Sequence, residues 1–164
     1  NFIANRLGVF AILSMLHLME REELSVPFVD ALSGPLMGRP KSATLRLCDI
    51  IGLDTLARVS QTAYGALVDD PWRNVFSLPK GVERMLNSGL LGAKSGGGFY
   101  RKTAEGIYVL NMDTLEYEEG ESPTLNGLAE QKGRPHDLVR ALWDEGGRWG
   151  ECGLSCLHVP VIRK

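Results

Sequence analysis

Leu7-Gly8-Val9-Phe10-Ala11-Ile12-Leu13-Ser14-Met15-Leu16-His17-Leu18-Met19 is the stretch that decides the fold class. Gly8, Ser14 and His17 are its only breaks in apolar character, and Asn5, Arg6, Glu20, Arg21, Glu22 and Glu23 bracket it with polarity. The run is too short to span a bilayer, and it lacks the basic segment and small-residue cleavage site of a signal peptide. A helix over residues 2–20 that is apolar on nearly every side must be covered by other helices or by a partner subunit. The chain opens on this helix at Asn1 with no preceding turn, which points to a fragment boundary.

Four more helices follow by the same periodicity. The second takes Ser25 as N-cap with Pro27 in its first turn, faces Val29 and Leu32 inward, and stops at Gly34-Pro35. The third begins after Pro40 with Ser42 as its cap and sets Leu45, Cys48 and Ile51 along one side before Gly52 ends it. Asp54 caps the fourth, which is striped by Leu56, Val59, Ala63 and Leu67 and ended by Asp69-Asp70-Pro71. The fifth, residues 80–88, carries Val82, Met85 and Leu86 inward and ends at Gly89.

Beyond residue 90 the texture changes. Gly92, Gly96, Gly97 and Gly98 surround Ala93-Lys94-Ser95, and residues 99–101 and 107–110 flank a turn at Gly106. This predicts a small β-hairpin, extended by residues 115–117. Residues 116–123 are rich in glutamate and read as a solvated linker. The expected organisation is an all-α domain with a small β-hairpin over residues 1–118, then a linker and divergent tail over 119–164. The tail holds one amphipathic helix, residues 137–144, with Leu138, Ala141 and Leu142 on one side.

The whole chain has 164 residues, 44% hydrophobic and 23% charged, a globular balance for one domain. A net charge of -2 offers no basic footprint, so no nucleic-acid partner is expected, and no membrane partner either. Three sparse cysteines, Cys48, Cys152 and Cys156, point away from a secreted disulfide scaffold and toward a reducing, cytoplasmic compartment.

Several motifs invite chemistry. The stretch from Leu91 to Tyr100 evokes a phosphate-binding loop, but the glycines such a loop needs are replaced by Ala93 and Ser88, and a helix precedes it where a strand should. A glycine-permitted turn that lets backbone segments approach closely is the favoured reading. The connector from Gly34 to Ser42 carries Arg39 and Lys41, with Arg46 close behind; it is a solvated basic edge or a phosphate contact for a large anion such as coenzyme A. Cys152, Cys156 and His158 are soft ligands without a fourth partner, so no metal is assigned. His17 reads as a satisfied core or interface histidine. Asn5, at the polar start of an apolar helix, either sits in a solvated first turn or uses its carboxamide to hold a histidine or a substrate carbonyl. No G-x-G-x-x-G fingerprint follows a strand anywhere, so no residue of this chain is assigned to cofactor binding.

Five segments in order carry a family resemblance. These are Asn1-Phe2-Ile3-Ala4-Asn5-Arg6-Leu7-Gly8, Val29-Asp30-Ala31-Leu32-Ser33-Gly34-Pro35, Gly38-Arg39-Pro40-Lys41-Ser42-Ala43-Thr44, Asp49-Ile50-Ile51-Gly52-Leu53-Asp54-Thr55 and Gly92-Ala93-Lys94-Ser95-Gly96-Gly97-Gly98-Phe99-Tyr100. Together they resemble the C-terminal helical domain of 3-hydroxyacyl-CoA dehydrogenases, of the type shared with 6-phosphogluconate dehydrogenase, over about residues 1–118. The resemblance implies NAD-dependent oxidation of (S)-3-hydroxyacyl-CoA to 3-oxoacyl-CoA in fatty-acid β-oxidation. NAD and a catalytic histidine–glutamate pair would belong to an N-terminal Rossmann domain of the same parent chain. The helical domain would close the cleft and form a homodimer, and Asn5 matches the family's catalytic asparagine. Without the Rossmann half the isolated chain is expected to be inactive. The alternative is a non-catalytic helical module for interaction or dimerisation.

Overall fold

The computed structural model describes residues 3–120, and all structural statements refer to these. The expected helix at 137–144 and the cluster of Cys152, Cys156 and His158 lie outside them. Helix α1 (Ile3–Arg21) buries Val9, Ile12, Leu13, Met15, Leu16, Leu18 and Met19. Residues 3–8 are all exposed. The expected cover thus holds for the later turns of α1 and not for the first two. By length and composition α1 could cross a membrane, but Val9, Ile12, Leu13, Met15, Leu16, Leu18 and Met19 lie in the domain's core.

Helix α2 (Val26–Ser33) follows Ser25 at the N-cap position, with proline in the first turn as expected, although the Ser25 hydroxyl makes no capping bond. Helix α3 (Leu45–Ile51) starts later than the Ser42 cap predicted, because residues 41–44 are spent in a turn. It buries Leu45, Cys48 and Asp49, while Ile50 and Ile51 are 69% and 40% exposed. The expected Leu45, Cys48, Ile51 stripe fails on geometry: positions i and i+6 lie far apart around a helix, whereas i, i+3 and i+4 share a face. Gly52, at φ +91°, turns the chain directly into α4 (Leu53–Ala66), so Gly52 and not Asp54 holds the N-cap position. Helix α5 (Lys80–Asn87) buries Val82 and Met85, and Gly89 follows at φ +72°.

The hairpin is a three-stranded antiparallel sheet, β1 (Tyr100–Lys102), β2 (Ile107–Leu110) and β3 (Tyr117–Glu119), in the order β1-β2-β3. Tyr100 pairs with Val109 and Leu110 with Tyr117. Part of the expected linker is therefore an edge strand. Its Tyr117 is half-buried while Glu118 and Glu119 face solvent, and charge on an edge blunts further pairing. Phe99 and Leu110 drive the sheet into the helical core, where they join Leu13, Leu16, Leu45, Leu53, Phe76 and Met85. Each such side chain contributes about 2 kcal/mol of burial energy.

Candidate functional site

The conspicuous motifs converge on one place, and what they build there is structural. Asp30 on α2 accepts the backbone N–H groups of Thr44, Leu45 and Arg46 at 3.0, 2.6 and 3.1 Å, and the Tyr100 hydroxyl donates to it at 3.0 Å. Asp49 on α3 accepts the N–H groups of Phe99 and Tyr100 at 2.9 and 2.8 Å. Each carboxylate lies on the buried face of its helix, and acids there need partners, which the backbone supplies. Burial pushes the Asp49 carboxyl up to about 6, against the pull of its two N–H donors. Burial and the charge of Asp30 raise the Tyr100 hydroxyl above the ordinary tyrosine range. Burial likewise raises the fully enclosed Cys48 thiol, which leaves it a poor nucleophile.

The glycine loop closes on itself. Gly92 and Gly97 exchange backbone bonds at 3.0 and 3.2 Å, and the Ser95 hydroxyl donates to the carbonyls of Gly92 and Gly97. Lys94 pairs with Asp54, which holds the Asp54 carboxyl below its usual range. The amides of Gly92 and Gly97 and the lysine side chain are thus engaged within the domain, as the close-approach reading of this loop requires. The basic connector is also partly spoken for: Arg39 donates to the Thr44 hydroxyl at 3.3 Å, and the Arg46 guanidinium lies 4.6 Å over the Tyr100 ring. His17 lies against the Ser77 and Val75 carbonyls, with Nε2 at 2.9 and 3.2 Å. That is the satisfied histidine expected.

Asn5 stands apart from all of this, in the exposed first turns of α1. One turn along, Gly8 leaves open space beside it. The next residue, Arg6, forms an ion pair with Asp70. Phe10 packs against Trp72 and Phe76, with ring centroids 6.2 and 5.9 Å apart. A separate cleft of about 710 Å³ opens at the other end of α1, between Met19, Glu20, Pro79, Arg84, Met112 and Glu119, so Asn5 has no part in it. Sequence reasoning named Asn5 as a candidate, took Asp70 only as part of a helix stop, and gave no role to Asp30, Asp49 or Trp72. For Asp30 and Asp49 a signal existed, an acid falling on an otherwise apolar helix stripe.

Residues 2–102 match the family described as the 3-hydroxyacyl-CoA dehydrogenase, C-terminal domain. The chain belongs to this family. As a dehydrogenase C-terminal domain it is 39% identical over 165 residues to a Bacillus subtilis protein named as a probable 3-hydroxyacyl-CoA dehydrogenase, a match covering 96% of this chain and 21% of that protein. A Rickettsia prowazekii protein named as a trifunctional enzyme of a fatty acid oxidation complex is 29% identical over 121 residues, covering 71% of this chain and 17% of that one. The chain therefore spans a small part of the curated relatives it matches. Among solved structures, M. tuberculosis FadB2 matches with a TM-score of 0.51 at 30% identity, over 62% of this chain and 34% of that one. The mostly helical fold with a small sheet is the one expected for this family's C-terminal domain.

Proposed function

We propose that this chain is the substrate-closing and dimerising domain of an NAD-dependent (S)-3-hydroxyacyl-CoA dehydrogenase acting in fatty-acid β-oxidation, with Asn5 as its catalytic residue. Family membership over residues 2–102 is the observation that carries the reading. Among the described residues the sheet is small and antiparallel, so it offers no strand–helix crevice for a dinucleotide. NAD, the hydride acceptor, and the histidine–glutamate pair then belong to a preceding Rossmann domain. What this chain supplies is the Asn5 carboxamide, exposed in the first turn of α1. Facing a cleft formed with that Rossmann domain, it would donate to one partner and accept from the other, holding the catalytic histidine and the substrate oxygen in line while the proton leaves.

The test is steady-state kinetics on the full-length dehydrogenase carrying Asn5→Ala. Turnover should fall by roughly tenfold to a thousandfold while the melting temperature holds, because hydrogen bonds that tighten in the transition state are lost and no core contact is. Unchanged turnover would return Asn5 to a solvated first turn and favour the non-catalytic module. Dimerisation draws support from exposed Ile3, Leu7, Val68 and Trp72, at 78, 64, 65 and 42%. Sedimentation of the full-length protein should show a dimer.

A further inference from the structure

Residues 3–8 are all exposed, so the first turns of α1, which carry Asn5, have no core packing of their own. Two contacts brace them from the side. Arg6 pairs with Asp70. One helical turn later, Phe10 meets Trp72 edge to face, at 6.2 Å and 87°. Arg6 and Phe10 stand at i and i+4 on one face of α1, and Asp70 and Trp72 at i and i+2 in the connection after α4.

That connection is itself braced. Oδ1 of Asp70 accepts the Trp72 N–H at 2.8 Å, which leaves Oδ2 for Arg6. Pro71 restricts the backbone between them. Arg73 donates from Nε to the Tyr64 carbonyl at 2.9 Å, and its guanidinium lies 4.1 Å over the Tyr64 ring, which ties the turn to α4. The Asp70 side chain is 10% exposed and that of Arg6 is 50% exposed, so the carboxylate is the fixed partner and the helix end the one being held.

We propose that Asp70 and Arg6 are positioning residues that hold the first turn of α1, and through it the Asn5 carboxamide, in the geometry the reaction needs. This rests on the role given to Asn5 above. A pair whose arginine is half exposed adds little to stability. Its value is directional, since a misplacement of about 1 Å in a reacting geometry can cost about a hundredfold in rate.

The experiment uses the full-length dehydrogenase with Arg6→Gln, Arg6→Lys and Asp70→Asn, each in the parent and in an Asn5→Ala background, with kinetics and melting measured together. Asp70→Asn keeps an oxygen for the Trp72 N–H while removing the charge. Arg6→Gln and Asp70→Asn should each lower kcat about tenfold with KM within about twofold, and the pair combined should cost no more than either alone. Arg6→Lys, which keeps the cation, should recover most of the loss. In the Asn5→Ala background none of the three should lower kcat further, since the pair acts through Asn5. Equal losses in both backgrounds would overturn the proposal, as would unchanged kcat in Arg6→Gln and Asp70→Asn when Asn5→Ala is slow. Normal turnover in Asn5→Ala alone would remove the role of Asn5 and this proposal with it, an outcome visible without any Arg6 or Asp70 variant.

Discussion

A Cβ on Gly98 would collide with Oδ1 of Asp49, and one on Gly92 would lie 2.5 Å from the Asp49 carbonyl oxygen at a backbone φ of +110°. These two glycines exist to let the loop close over α3 while Asp49 takes the Phe99 and Tyr100 N–H groups. Gly98→Ala should therefore cost about 3 kcal/mol, because it both overpacks the site and breaks buried hydrogen bonds, and a thermal or urea melt reads it directly. Gly8 and Gly65 differ: each lies in a helix with nothing within 4 Å of a built Cβ. Gly8→Ala and Gly65→Ala should each stabilise by about 0.5–1 kcal/mol in the same melts. They should part in kinetics, since Gly8 lies one turn from Asn5 and a methyl there intrudes on the proposed substrate side, whereas Gly65→Ala should leave turnover alone. Close approach was legible from the glycine run. Its partner was not, because nothing local in the sequence says what does the approaching across the 50 residues between Asp49 and Phe99.

Helices α3 and α5 both begin without a side-chain cap of their own, and in both a carboxylate from a distant helix supplies the acceptor. For α3 it is Asp30, which takes three successive N–H groups; for α5 it is Glu20 of α1, which accepts from Gly81 at 2.9 Å. Orphan donors at a helix start need such partners wherever they come from, and a carboxylate there also meets the positive end of the helix dipole. Asp30→Ala should cost about 3 kcal/mol, since it strands buried donors and the Tyr100 hydroxyl together, and Glu20→Ala about 0.5–1 kcal/mol, since Gly81 sits where water can replace the carboxylate. Equal losses in denaturant melts would contradict this ordering. The sequence rules search for caps next to the helix, so they put Ser25 at the N-cap position, where its hydroxyl makes no capping bond, and misassigned Ser42 and Asp54. The number and order of the five helices were legible, because each is bounded by proline, glycine or acidic residues. Where α3 turns its face was not, since Asp49 occupies a buried position that a count of apolar residues passes over.

At the scale of the whole domain, the helical body and the sheet are joined through Asp49, and this junction carries a pH dependence. A free aspartate titrates near 3.8; burial, above all, with the nearby charge of Asp30, pushes Asp49 up to about 6, while the Phe99 and Tyr100 N–H groups and Arg46 pull the other way. The folded value lies above the unfolded one, so the folded domain binds this proton more tightly. Its contribution to stability is accordingly full below about pH 4 and is lost as the pH rises through about 6. A difference of about two units corresponds to about 3 kcal/mol. Asp49→Asn cannot titrate, and because an amide offers one oxygen where the carboxylate offered two, it also loses an N–H partner by an amount that does not vary with pH. The stability of the native domain minus that of Asp49→Asn, from urea unfolding at steps between about pH 4 and 7, should therefore decline with rising pH and level off near the top of the range. Contributions from groups that do not interact with Asp49 cancel in the subtraction, which leaves the slope to Asp49 and its immediate neighbours. A flat difference would mean that its two backbone donors balance the burial, and would put its carboxyl back in the ordinary range.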